Sequence, residues 1–339
     1  MMATNGQVRL RSRPAGIAQA EHFEIRSAPV DRPGPGQILV QNHYLSVEPA
    51  MRGWIADVGN YGDQVALGSV MRSLASGRII ESNHEHFQVG EYVAGWFGWQ
   101  DFACVAADQI LQKTSEKELR ASLGILGING VTAYLALTLV GQPRAGETVL
   151  VSTAAGAVGS AAGQIANILG CRTVGIAGGA DKVRRCVEEF GFEAAIDYRG
   201  QDVAATLSRV APQGIHVYFD NVAGPISDAV MPHLALGGRV IVCGTASQDR
   251  WAPWPDGPRV ERHLLVKRAR MEGFVVFDHM ARYAAAVAQL REWTEQGRLT
   301  WREEILDGIE SCPDALAGLY RGENHGKRLI RLKETGAHE

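Results

Sequence analysis

The sequence predicts an α/β protein in which a doubly wound parallel sheet accompanies a second, β-rich, barrel-like domain. Three observations predict it: short β-type runs up to about Asp108, a regular helix and strand alternation from about Leu119, and a glycine-bearing turn at 152–163 set between a strand and a helix. Many short strands punctuated by turn residues fit a compact barrel. Strands that alternate with helices need crossover connections, and these cover both faces of a parallel sheet.

In the first part, the runs Gln37–Val40, Gly77–Ile80, Glu91–Gly95 and Phe102–Val105 are strand candidates separated by Gly, Pro and Asn. In the second part the strand candidates are Thr148–Val151, Thr173–Ile176, Ala194–Ile196, His216–Phe219 and Arg239–Val242. Helices are predicted over Val158–Leu169 and Asp181–Phe190, where apolar residues recur at helical spacing. A long amphipathic helix follows at Met280–Gln296, and Leu299–Leu332 returns to short strands and turns. The expected domains are 1–125, β-rich and substrate-binding, then 126–300, dinucleotide-binding, then a segment 301–339 that folds back onto the first.

The chain has 339 residues, and single cores seldom exceed roughly 250 to 300 residues, so two domains are expected. It is 46% hydrophobic and 21% charged with a formal net charge of -3. That balance argues against nucleic acid or an anionic membrane surface as partner. Apolar stretches fall well short of the roughly 20 residues of a membrane span. No secretory signal is visible at Met1–Arg13, and a cytoplasmic location is expected. The five cysteines, Cys104, Cys171, Cys186, Cys243 and Cys312, are scattered and never spaced CxxC, which predicts reduced thiols rather than a disulfide framework.

The turn Ser152-Thr153-Ala154-Ala155-Gly156-Ala157-Val158-Gly159-Ser160 leaves a strand and opens a helix. A dinucleotide pyrophosphate needs this arrangement: a sharp turn, close backbone approach, and unpaired helix N–H groups. Gly156 and Gly159 stand at the second and third positions of a Rossmann GxGxxG motif, with Ala154 at the first. At the end of the next strand an NAD site usually places a carboxylate on the ribose hydroxyls. Here Ala177-Gly178-Gly179-Ala180-Asp181-Lys182 leaves room and positive charge for an extra phosphate, which favours NADP. Asp181 is either the missing acid or a helix cap. The ten histidines are isolated apart from His84 and His86 in a polar turn, and no four-cysteine lobe exists, so no metal site is expected.

These residues resemble the zinc-independent medium-chain dehydrogenase/reductases, and within them the alkenal double-bond reductases that include prostaglandin and curcumin reductases. The resemblance runs from Tyr44-Leu45-Ser46-Val47-Glu48-Pro49-Ala50-Met51-Arg52-Gly53 through Gly130-Val131-Thr132-Ala133-Tyr134 and the glycine turn to Tyr218-Phe219-Asp220-Asn221-Val222, Met271–Val276 and Asn324-His325-Gly326-Lys327. It implies a GroES-like barrel before a Rossmann domain, NADPH as cofactor and, in many relatives, a homodimer. It also implies that Gly156, Ala157, Val158 and Gly159 hold the pyrophosphate and that Lys182 and Tyr198 meet the 2'-phosphate. Asn221, Cys243, Gly244, Thr245, Phe274, Val275, Val276 and Asn324 would line the remainder.

The reaction implied is hydride transfer from NADPH to the β-carbon of an α,β-unsaturated ketone or aldehyde, a small hydrophobic enone or enal. Negative charge then develops on the carbonyl oxygen, which calls for a positioned hydrogen-bond donor. Relatives supply a tyrosine after the fifth strand, where this chain has Asp249, and another in the Ser-Val-Asp-Pro-Tyr-Met-Arg motif, where it has Ala50. Replacement donors are Tyr61, Asn60, Trp54, Arg250, Trp251 or the cofactor's ribose hydroxyl, with Tyr61 preferred. Met51, Trp54, Trp251 and Trp254 are expected to wall an apolar pocket. A quinone reductase, or a cofactor-bound protein without turnover, is the alternative.

Overall fold

The structure, a computed structural model, describes residues 4–248, 253 and 255–333. It divides into two compact units, one of residues up to Leu123 together with those from Glu303 onward, the other running from Gly124 to Arg302.

The first unit opens with β1 (Thr4–Leu10) and β2 (Phe23–Pro29), an antiparallel pair. Next come β3 (Gln37–Ser46), the short helix α1 (Met51–Ile55), β4 (Ala75–Ser82), β5 (Tyr92–Gly95), β6 (Phe102–Ala106) and β7 (Ile110–Thr114). β3 pairs antiparallel with both β4 and β6, and β5 pairs antiparallel with β4 and β7. Register shifts in the β3–β4 ladder at Leu39/Val40 and Asn42/Tyr44 bend the sheet. The bend brings backbones close: a Cβ on Gly77 would stand 2.0 Å from the Gln41 carbonyl oxygen, so the corner admits only glycine. Val8, Ile38, Val40, Leu45, Met51, Ile55, Trp99 and Ile330 lie within one buried cluster.

The second unit alternates helices and strands as its periodicity predicts. α2 (Ile128–Leu135) is followed by β8 (Thr148–Ser152), α3 (Ala157–Ile168), β9 (Arg172–Ala177), α4 (Ala180–Glu188) and β10 (Ala194–Asp197). The chain then crosses through α5 (Val203–Val210) to β11 (Ile215–Asp220), α6 (Gly224–Val230), β12 (Leu234–Val242), α7 (Glu261–Lys267), β13 (Arg270–Gly273) and α8 (Tyr283–Glu295). The six strands are parallel in the order β10-β9-β8-β11-β12-β13. All five residues of β8 are buried, as expected of a strand covered on both faces. Because the chain steps outward from β8 to β10 and then returns to β11, the order reverses between β8 and β11. Open α/β sheets bind ligands outside the carboxyl ends of strands at such a reversal.

The chain returns to the first unit through β14 (Glu303–Asp307), α9 (Cys312–Arg321) and β15 (Lys327–Arg331). β15 runs parallel to β14 and antiparallel to β3. The expectation of strands and turns over 299–332 missed α9. Pro313 and Gly318 read as turn residues, yet Pro313 occupies the first turn, where no N–H is required, and Gly318 lies on the buried face. The predicted helix Met280–Gln296 is shorter: Val276–Arg282 forms 3-10 turns with a kink at His279, and α8 begins at Tyr283. Among the described residues no helix is long and apolar enough to cross a membrane.

Candidate functional site

The glycine turn lies at the carboxyl end of β8. Thr153 takes a positive φ of 53°, Gly156 N–H donates to the Thr153 carbonyl at 2.8 Å, and Gly156 becomes the N-cap of α3 without a side-chain cap bond. A Cβ on Gly159 would stand 2.2 Å from the Thr153 oxygen and 2.8 Å from its carbonyl carbon. The helix end therefore sits directly on the turn, and the amides of Ala157, Val158 and Gly159 are first-turn donors of the kind that hold phosphate. Alanine at the first motif position is fully buried and is matched across the sheet by Gly175, whose Cβ position is 2.8 Å from the Ala154 methyl. The missing glycine is thus compensated on β9.

Past the end of β9, Gly179 has a φ of 93° and its N–H donates to Asp197 Oδ1 at 2.8 Å. Backbone bonds from Gly179 above all, then Arg199 and Gly200, lower the pKa of Asp197. Tyr198 and Arg199 close over Gly178: its Cβ position lies 2.9 Å from Tyr198 Cε1 and 3.1 Å from Arg199 Nε. Lys182 is half-buried in the first turn of α4. Asp181 is not the cap of that helix, which is Gly179; its carboxylate pairs with Arg184 at 2.9 Å. This edge is basic and glycine-lined, as a phosphate-bearing ribose requires.

At the end of β11, Asp220 is buried and accepts from Tyr218 Oη at 3.0 Å, Ser152 Oγ at 3.3 Å, Val222 N at 2.9 Å, Ala223 N at 3.0 Å and Ser227 Oγ. Burial, and secondarily Asp220, push the Tyr218 hydroxyl pKa well up, so it stays a donor. The network fixes Asn221, whose N–H donates to Ser152 Oγ at 2.8 Å and whose Nδ2 donates to the Ser152 carbonyl at 2.7 Å. Cys243 and Gly244 amides donate back to the Asp220 carbonyl at 2.8 and 3.1 Å, which locks the 243–245 turn beside Asn221. Burial, with Asp220, pushes the Cys243 thiol up to about 12. A thiol held protonated in this way is a weak nucleophile. Phe274 is buried, bonded through its N–H to the Val242 carbonyl at 3.0 Å, and stacked on His279 at 5.1 Å. Val275 is half-buried and Val276 buried.

The expected cofactor residues of the second unit thus follow the carboxyl edge of one sheet. Asn324 belongs to the first unit, where its Nδ2 donates to the Gly326 carbonyl at 3.0 Å.

In the first unit Met51 is fully buried and Trp54 is 2% exposed, so both are core residues first. Tyr61 is 55% exposed, and its backbone N–H donates to Asn60 Oδ1 at 2.8 Å. It lies within electrostatic reach of Arg72 and of the half-buried Tyr320, whose hydroxyl donates to the Pro49 carbonyl at 2.6 Å. Arg52, 4% exposed, lies over the Tyr320 ring at 5.5 Å. Asp249, Arg250, Trp251 and Trp254 lie outside the described residues.

Sequence reasoning missed Arg199, Arg72, Tyr320 and the Asp220 network. Arg199 was legible as the neighbour of Tyr198. The others depend on partners brought together by the fold, and no spacing announces them. Among the described residues, no group of three or more His, Cys, Asp or Glu is placed to hold a metal ion.

A family profile described as the N-terminal domain of oxidoreductase matches residues 6–113, and one described as zinc-binding dehydrogenase matches residues 157–292. The chain is 39% identical to the NADPH-dependent curcumin reductase of Escherichia coli (strain K12) over 329 residues, covering 95% of each. It is 37% identical to the NADP(+)-dependent 2-alkenal reductase of Nicotiana tabacum over 336 residues, covering 97% of this chain and 98% of the relative. The crystal structure of CurA from Vibrio vulnificus in complex with NADPH superposes with a TM-score of 0.92 at 38% identity, covering 98% of this chain and 100% of that one. With both profiles matched in order and the similarity running nearly end to end, the chain belongs to the zinc-independent medium-chain dehydrogenase/reductase family, in the group of the curcumin and alkenal reductases.

Proposed function

We propose that this chain is an NADPH-dependent reductase of the carbon–carbon double bond of α,β-unsaturated ketones or aldehydes. The observation that carries the reading is the carboxyl edge of the parallel sheet. There the first turn of α3, the Tyr198 and Arg199 side chains over Gly178, Lys182 in the first turn of α4, and the fixed Asn221 follow one another. That order suits a pyrophosphate, a phosphorylated ribose and a nicotinamide ribose, and Gly159 lets the first turn of α3 sit directly on the Thr153 turn. The names of the curcumin and alkenal reductases support the same chemistry.

In this reading Gly156 to Gly159 bind the pyrophosphate through backbone amides. Lys182 and Tyr198, with Arg199, hold the 2'-phosphate. Asn221, with Nδ2 committed to Ser152, presents Oδ1 to the cofactor, and Cys243 to Thr245, Phe274 to Val276 and Asn324 enclose what remains. NADPH, when bound, supplies a hydride for the substrate's β-carbon. The chain's own contribution is to bind an apolar substrate, to hold a donor at its carbonyl oxygen, and to exclude water. Tyr61 is one such donor.

Purified protein should oxidise NADPH with a medium-chain enone and give the saturated ketone, while simple alcohols with NADP give no reaction. An allylic alcohol as the main product, or turnover confined to benzoquinone, overturns the reading. All five cysteines are free, in keeping with a reducing, cytoplasmic setting.

The chain is further proposed to act as a homodimer. β13 closes one edge of the six-stranded sheet with all four residues exposed, and Leu265, Val266 and Met271 beside it are 78%, 51% and 38% exposed. An exposed edge strand with apolar side chains on and beside it is a pairing surface. Met271→Lys should convert a sedimenting dimer into a monomer; a monomeric wild-type chain at micromolar concentration removes the proposal.

A further inference from the structure

Just past β11, Ala223 stands in a conformation that only glycine adopts without cost. Its φ is 59° and its ψ is -162°, a region that a β-carbon strongly disfavours. Gln142 and Arg268 also have positive φ, but with ψ of 54° and 36° they take the ordinary left-handed form that ends a helical turn. Strain of the Ala223 kind persists only where surrounding bonds over-determine the backbone, and it gathers at sites that bind or react.

Here the bonds are complete. The N–H of Asn221 donates to Ser152 Oγ at 2.8 Å, and those of Val222 and Ala223 donate to Asp220 Oδ1 at 2.9 and 3.0 Å. The carbonyls of the same three residues accept from the loop that follows β12. Asn221 accepts from the Ala246 N–H at 3.3 Å and Val222 from the Ser247 N–H at 3.0 Å, while the Ser247 hydroxyl is shared between the Val222 and Ala223 carbonyls at 2.7 and 3.0 Å. Gly224 leaves room for that hydroxyl, since a Cβ there would stand 2.7 Å from Ser247 Oγ. All these residues belong to the second unit. With Nδ2 of Asn221 committed to the Ser152 carbonyl, Oδ1 is the one polar atom of Asn221 that takes no bond from the described residues.

We infer that Ser247 is a positioning residue for the cofactor: its hydroxyl holds Ala223 in the strained form, and that form aims Asn221 Oδ1 at a donor on the nicotinamide half of NADPH. The inference rests on the reading of Asn221 as a cofactor residue. Ser152 and Asp220 are buried members of β8 and β11, whereas Ser247 is exposed and reaches the turn from a loop, so its hydroxyl is the removable part of the clasp. Relief of the strain returns the φ of Ala223 to negative values by rotating the Val222–Ala223 peptide, whose carbonyl that hydroxyl holds. The rotation passes straight to Asn221. An acceptor fixed beforehand spares the ligand the cost of ordering it, so a loosened Asn221 weakens the nicotinamide half of the cofactor and leaves the adenosine half as it was.

The test is calorimetry on the full chain with two probes, NADPH and 2',5'-ADP, which carries the phosphorylated adenosine without the nicotinamide. Ser247→Ala should weaken NADPH about 10-fold and leave 2',5'-ADP within about 2-fold. Ala223→Gly, which adopts the same φ and ψ without strain, should raise Tm by about 2 °C or more and keep NADPH affinity within about 2-fold. In the double variant no strain is left to relax, so Ala223→Gly should restore most of the NADPH affinity that Ser247→Ala removes. A Ser247 that only stabilises the fold would lower Tm and move both probes together or neither. One that touched the cofactor itself would not be rescued by Ala223→Gly, and either outcome overturns the inference. Asn221→Ala separates the inference from the reading beneath it. NADPH weakened by Asn221→Ala but not by Ser247→Ala sinks the inference alone, and NADPH unaffected by Asn221→Ala sinks both.

Discussion

Gly159→Ala is expected to weaken NADPH binding at least about 100-fold and to lower Tm by several degrees, whereas Gly156→Ala keeps the fold. The two glycines stand in one motif but face different surroundings. At Gly159 every near neighbour of a Cβ is backbone: the Thr153 oxygen at 2.2 Å, the Thr153 carbonyl carbon at 2.8 Å and the Ala154 Cα at 3.1 Å. No rotamer relieves such an overlap, so either the Thr153 turn opens or the N-terminus of α3 lifts off β8. Overpacking of this kind costs about 1–3 kcal/mol or more, and 100-fold in affinity is about 2.7 kcal/mol. Both responses displace the first-turn amides from the phosphate position. At Gly156 the tightest contact of a Cβ is 3.2 Å, again to the Thr153 oxygen, with φ at -85°, and a shift of a few tenths of an ångström accommodates it. Calorimetry with NADPH on both variants, beside their melting curves, separates the roles. A Gly159→Ala variant with wild-type affinity would show that the helix end does not carry the pyrophosphate.

The parts of this molecule that were legible are those written in local spacing. Five of the six strands of the parallel sheet announce themselves as short apolar runs alternating with helical spacing, β13 with its Arg-Met-Glu-Gly does not, and the glycine turn is contiguous from Ser152 to Ser160. The partners of its irregularities were not legible. Gly175 reads as an unremarkable strand glycine until the fold sets it against Ala154. Asp220 stands in the sequence as one residue of the Tyr218–Val222 motif, but its carboxylate is the hub of a network that draws on β8, β11 and α6. Asp181 shows the reverse case, since two local roles suited it and the structure gives it a third, an ion pair one helical turn away. In the first unit the difficulty was greater. Helix α9 was hidden by residues that stop helices elsewhere. Arg72 lies over two indoles, Trp54 from α1 at 5.0 Å and Trp96 from just beyond β5 at 4.4 Å, so no short window of sequence contains the cluster.

The longest such dependence carries the other large expected effect. Lys327 and Glu48 form an ion pair at 2.8 Å with side chains 4% and 9% exposed, and Lys327 Nζ also donates to Ser46 Oγ at 2.6 Å. Ser46 Oγ in turn donates to Glu48 Oε1 at 2.8 Å. The pair forms because β15 lies against β3 in a register that sets Leu329 opposite Ser46. Removing one partner of a buried pair leaves a charge that the interior cannot solvate, at a cost of about 3–5 kcal/mol, whereas replacing both by apolar groups is often near neutral. Lys327→Met alone should therefore consume a large share of a stability that is about 5–15 kcal/mol in all, and Glu48→Leu added to it should restore most of the loss. The signs are diagnostic, because a pair open to water would lose less than about 1 kcal/mol in either single variant and show no coupling. Glu48 also begins the turn through Pro49 into Met51 and Trp54, so the double variant separates stability from positioning. With its melting temperature recovered and its NADPH affinity unchanged, it should still reduce enones more slowly, since the carboxylate that anchors that turn to β15 is gone. Recovery of kcat together with Tm would assign the pair to stability alone.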